Sequence, residues 1–110
     1  MEHRWSPRRD CAIDVVIHYR PLGLIRGQTR DIGLEGMYVA TGRISLPKDE
    51  AVDVSFRLGD EDNPEVHHLG AFVVHSHDDG AGLMFRDFED RAYSALEQLL
   101  FSDTRASVGS

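Results

Sequence analysis

Arg30-Asp31-Ile32-Gly33-Leu34-Glu35-Gly36 sets a carboxylate and two glycines, three residues apart, into a turn between two runs that read as β-strand. Glycine tolerates φ > 0 and lets another group come close, so one acidic acceptor is expected beside open backbone. Upstream, Leu24 to Arg30 reads as a strand weakened by Gly27, preceded by the turn Pro21-Leu22-Gly23. Before that turn, Cys11, Ile13, Val15, Ile17 and Tyr19 alternate with Ala12, Asp14, Val16, His18 and Arg20, the pattern of a half-buried strand.

Downstream, Met37 to Thr41 is a third strand and Gly42 to Glu50, with Pro47, a connection. Val52, Val54, Phe56 and Leu58 alternate with Asp53, Ser55 and Arg57 in a fourth strand. Gly59 to Glu65 is expected as an acidic solvent loop. Val66 to His77 is a fifth strand, turned by Asp78-Asp79-Gly80, and Ala81 to Phe85 pairs back as a sixth. Short strands with no helical period between them indicate an antiparallel barrel or sandwich. The period then changes. Asp87 is a plausible N-cap, Glu89 and Asp90 suit the positive end of a helix dipole, and Ala92, Ala95, Leu96, Leu99 and Leu100 follow helical spacing. One amphipathic helix is predicted over about 88–101, with residues 102–110 disordered.

The chain has 110 residues, 41% apolar and 28% charged, enough for one domain with one core. No apolar run approaches the roughly 18 residues a membrane span needs, and the polar N-terminus lacks the core of a secretion signal. The single cysteine, Cys11, supports neither an internal disulfide nor a zinc site, which points to a cytoplasmic protein. A net charge of −7 opposes general binding of DNA or RNA. The charge is uneven: residues 1–46 hold seven arginines against five acids, and residues 47–110 hold five basic residues against fourteen acids. An anion site therefore belongs to the N-terminal half. There, Arg4-Trp5-Ser6-Pro7-Arg8-Arg9 gathers three cations and one large ring on an arm, residues 1–10, that Pro7 keeps from helix.

Arg4-x-x-x-Arg8 followed by Asp31-x-Gly33-x-x-Gly36 resembles the two-part signature of PilZ domains, RxxxR and then [D/N]xSxxG. The resemblance covers nearly the whole chain, and the family serine is Gly33 here. It implies an all-β fold, a six-stranded antiparallel Greek-key β-barrel over residues 11–101 with one C-terminal α-helix, acting as a stand-alone receptor for cyclic di-GMP. It implies no catalysis, metal or cofactor. Its ligand-binding set would be Arg4, Arg8, Asp31, Gly33 and Gly36, with Arg9 as an auxiliary charge. His75 would flank the ligand where related domains often carry tryptophan.

The chemistry of these residue types fits such a ligand. A guanidinium bridges phosphate oxygens, donates a bidentate pair to guanine O6 and N7, or stacks on the base. A carboxylate accepts guanine N1–H and the 2-amino group side by side, which adenine cannot offer. Glycine in place of serine loses one neutral hydrogen bond of about 0.5 to 1.5 kcal/mol. By the resemblance, the arm closes over the ligand and the change passes to an effector protein, with motility, exopolysaccharide or virulence as outputs. Two alternatives remain: an adaptor that no longer binds cyclic di-GMP, and a metal site on His67, His68, His75 and His77 with an acid such as Asp79, which the opposed faces of His67 and His68 disfavour.

Overall fold

The computed structural model describes residues 8–60, 62–86 and 90–109. Its strands are β1 (Arg8–Asp10), β2 (Asp14–Tyr19), β3 (Gly23–Gly33), β4 (Gly36–Ala40), β5 (Ala51–Asp60), β6 (Asn63–His77) and β7 (Gly80–Phe85), followed by helix α1 (Asp90–Gly109). All pairings are antiparallel in the order β1-β3-β2-β5-β6-β7-β4, and β4 returns to β3. The result is a closed six-stranded barrel, because β1 and β2 lie end to end along the same side of β3 and act as one strand. Closure joins β2 through β7 into one continuous wall, while β1 is paired along one side only, with β3.

The strands form where apolar residues alternate. Val15, Ile17 and Tyr19 of β2, Val52, Val54 and Phe56 of β5, and Leu69, Ala71 and Val73 of β6 all point inward and are buried. Ala92, Leu96 and Leu100 recur at helical spacing and bury one stripe of α1, which packs on β3, β5 and β6. Arg91 reaches Glu65 at 3.9 Å, and the same carboxylate lies 3.4 Å from the buried ring of His67.

Several boundaries differ from the sequence expectation: β2 begins at Asp14 and not Cys11, and β3 continues through Arg30 to Gly33, so the expected turn shrinks to Leu34 and Glu35. The acidic loop at 59–65 is largely absorbed into a hairpin, since pairing of β5 with β6 continues to Asp60 opposite Asn63. Helix α1 runs past residue 101 to Gly109, because no glycine or proline interrupts it earlier, so the tail expected to be disordered is helical backbone through Gly109. The connection at 42–50 is anchored to the barrel by Leu46, which is fully buried and whose carbonyl accepts from the Ser76 hydroxyl.

The joint between β1 and β2 is built by one side chain. Asp10 pairs with Asp31 but Asp14 with Gln28, so four steps on one strand match three on the other, the count of a β-bulge. The buried Thr29 hydroxyl spans this irregularity, accepting from Ile13 N at 2.9 Å and donating to the Cys11 carbonyl. Thr29→Val keeps the volume and leaves the Ile13 N–H without its acceptor. It is expected to cost about 1 to 3 kcal/mol, read as a lower denaturation midpoint and faster amide exchange at Ile13.

Candidate ligand cleft

Two further bulges decide where the candidate residues point. On β3, residues 25, 27 and 29 face inward, and continued alternation would send Asp31 into the core. Instead the register with β4 shifts between Thr29 and Asp31. Arg30 is the extra residue, Asp31 turns outward half-buried, and Ile32 fills the interior. On β6 the inward series 67, 69, 71 and 73 would continue to His75. The register with β7 shifts between Val73 and His75, Val74 is the extra residue, and His75 emerges exposed. Each bulge re-aims the side chain that follows it.

Both side chains emerge at one cleft of about 300 Å³. Asp31 of β3 and His75 of β6 stand at its two sides, with Gly36 and Tyr38 of β4 and Gly82 and Met84 of β7 between them. Its floor depends on missing side chains. A Cβ on Gly36 would run into the Leu83 carbonyl oxygen, and one on Gly82 would lie 3.1 Å from the His75 ring. Neither Gly33 nor Gly36 takes φ > 0; among the described glycines only Gly23 and Gly42 do. Close approach, not backbone handedness, is therefore why position 36 is glycine.

The sequence reading missed Tyr38. Its ring lies over Gly80, where an added Cβ would come within 2.9 Å of it. The Arg30 guanidinium sits 5.6 Å from its centroid and the His77 ring 5.8 Å. Arg30 is in turn 3.5 Å from Asp79. The ring is thereby fixed at the cleft wall, an aromatic surface beside a carboxylate. A tyrosine at an outward position of a strand that neighbours Asp31 was the available signal.

Of the expected residues, Asp31, Gly36 and His75 meet in this cleft. Gly33 is buried at the end of β3, its backbone in register with Arg8, while Arg9 is in register with Ile32. The arm thus enters the barrel along the margin of Asp31–Gly33. Arg4 and Trp5 lie outside the described residues. The arm, expected to be flexible or extended to residue 10, is paired strand from Arg8. Of the histidines, His67 is buried against Phe56, His68 faces out and bonds Ser55 at 2.7 Å, and His77 stacks on Tyr38. Among the described residues no three metal-ligating side chains gather, and no helix is long and apolar enough to cross a membrane.

A family model described as PilZ domain matches residues 2–102. No curated protein matches the sequence. Among solved structures, the chain resembles the inhibitor of motility MotI/DgrA of Bacillus subtilis, with a TM-score of 0.82 at 20% identity, covering 96% of this chain and 53% of that one. The chain thus spans about half the length of that relative. It also resembles the PilZ domain of YcgR from Escherichia coli, solved with cyclic di-GMP, with a TM-score of 0.74 at 14% identity, covering 96% of this chain and 95% of that one. The PilZ domain of CeSA from a cellulose-synthesizing bacterium gives a TM-score of 0.65 at 16% identity over 87% of this chain and 96% of that one.

Proposed function

We propose a function from one premise: this chain belongs to the PilZ domain family. The cleft between β3 and β6 binds cyclic di-GMP, and the chain is a receptor that couples this binding to a protein partner. The observation that carries the reading is the pair of bulges, which turn Asp31 and His75 out of the core into one cleft beside the entry of the arginine arm. In this reading Asp31 accepts the N1–H and 2-amino group of one guanine. Arg4 and Arg8 hold phosphate and base from the arm, Arg9 adds charge, and His75 flanks a base. That YcgR was solved with cyclic di-GMP supports it. Binding closes the segment ahead of β1 over the cleft and gives the effector a surface that the free chain lacks. The effector controls motility, exopolysaccharide production or virulence.

Calorimetric titration with cyclic di-GMP tests this directly. Saturable binding is expected, and Gly33→Ser, which restores the family hydroxyl, tightens it or leaves it unchanged. No saturable heat up to high micromolar ligand would instead favour the adaptor that works by protein contact alone, the reading to which the missing serine hydroxyl points.

Tyr38 supplies a stacking face for the second base. Tyr38→Ala should weaken binding by about 1 to 3 kcal/mol, the usual worth of a base on an aromatic ring, while Tyr38→Phe keeps the face and binds like the parent.

A further inference from the structure

A second concavity lies away from the cleft, on the opposite arc of the barrel. It has a volume of about 630 Å³ and runs across the outer surface of β3, β2, β5 and β6. Cross-strand register sets Arg26, Val16, Ser55 and His68 in one row, and places Arg57 beside Val66 in the next. Arg26 and Arg57 both line the groove, with Ile13, Val16 and Val66 as an apolar strip between and around them.

Arg26 and Arg57, like Arg20 and Arg43, carry no ion pair among the described residues, but only these two line the groove. The chain carries 19 acidic residues against 12 lysines and arginines, and Arg30, Arg86 and Arg91 each lie within 4 Å of a carboxylate. Among the described residues neither Arg26 nor Arg57 has such a partner. The one carboxylate lining the groove, Asp14, takes a 3.4 Å hydrogen bond from Gln28 Nε2. Among the described residues the groove thus presents two guanidinium forks unmatched by carboxylates, beside half-buried Ile13 and Val16 and exposed Val66, on a predominantly acidic molecule.

We propose that this groove docks an extended, acidic segment of a partner protein, with carboxylates on the two arginines and small aliphatic side chains on the valines. Arginine forks pair well with carboxylates in two-point geometry. Four neighbouring strands span roughly 15 Å at their usual spacing, the reach of four or five extended residues. Arg26 and Arg57 are separated by β2, roughly 10 Å from strand to strand, so one segment with spaced carboxylates engages both more readily than a single small anion. Strand addition is not the mode, because the groove lies on the face of strands already paired to one another there, and the net charge opposes a nucleic acid, charged at every phosphate, more than a short segment with two carboxylates. The proposal is independent of the nucleotide reading, since none of the cleft side chains takes part.

The test uses the full chain and a fluorescein-labelled hexapeptide Asp-Ser-Val-Ser-Asp-Ser, which when extended presents both carboxylates and the valine on one face, followed by anisotropy at low salt. Saturable binding is expected, weakened at least about tenfold by Arg26→Glu combined with Arg57→Glu, as for loss of close interfacial charge pairs, and unchanged by Asp31→Ala. Both arginines are exposed, so the double variant should match the parent's denaturation midpoint. A peptide with lysine in place of aspartate should not bind. Absence of saturable binding, or equal binding by the double variant, overturns the proposal. So does inorganic pyrophosphate competing as well as unlabelled peptide, which marks a phosphate site. Concentration-dependent self-association in sedimentation that the double variant abolishes also overturns it, by assigning the groove to a second copy of the chain.

Discussion

Gly36→Ala should lower the unfolding free energy by about 1 to 3 kcal/mol or more, the cost of forcing a methyl into a filled space. Here the obstacle is not a side chain that can rotate away. The added Cβ meets the backbone carbonyl of Leu83, and Gly36 is in register with Met84, next to it on β7. Relief requires β4 and β7 to separate at the point where they form the cleft floor. Cyclic di-GMP affinity should therefore fall together with the denaturation midpoint. Urea unfolding monitored by circular dichroism checks the first effect, and calorimetry the second. A variant as stable as the parent would show that the two strands do not approach as closely as described.

Asp31→Ala should weaken cyclic di-GMP at least about tenfold, since a charge-assisted hydrogen bond contributes roughly 1.5 to 3 kcal/mol. The more telling result is selectivity. The carboxylate complements guanine's N1–H and 2-amino donors, so its removal should also narrow the preference for cyclic di-GMP over cyclic di-AMP. Arg4→Ala and Arg8→Ala should each cost a similar factor in affinity and narrow that preference less than Asp31→Ala does, because their contacts to phosphate, unlike those to a base, do not distinguish guanine from adenine. Parallel titrations with both dinucleotides separate the two patterns. Variants that all bind like the parent would mean that the nucleotide, if it binds, sits elsewhere.

The strands were legible because a barrel wall faces the core on one side and water on the other, which writes a period of two into Val52 to Leu58 and Cys11 to Tyr19. The bulges were harder to read, as an inserted residue leaves strand composition unchanged. Their trace was present nonetheless: Asp31 and His75 fall on the parity that otherwise carries Ile25, Leu69 and Val73, where an unpaired polar group would be costly. Thr29 sits at an inward position and is buried, and nothing local announces that its hydroxyl closes a break in the neighbouring strand. Tyr38 and Met84 join the cleft only through pairing of β4 with β7, which is information about distant partners. For Gly36, whose place in a family pattern implies a ligand role, the contact at Leu83 adds an architectural constraint that the sequence did not announce.

Insertions and deletions face unequal constraints along this barrel. Arg30 and Val74 each lack a partner on the neighbouring strand, so removing either would leave an unbroken ladder with Asp31 and His75 still facing outward, whereas a residue lost from a regular run of β3 or β6 would exchange inside for outside in the segment beside it. Length is thus held more tightly along the regular runs of these strands than at the two bulges, and its variation should collect there and in the connection between β4 and β5.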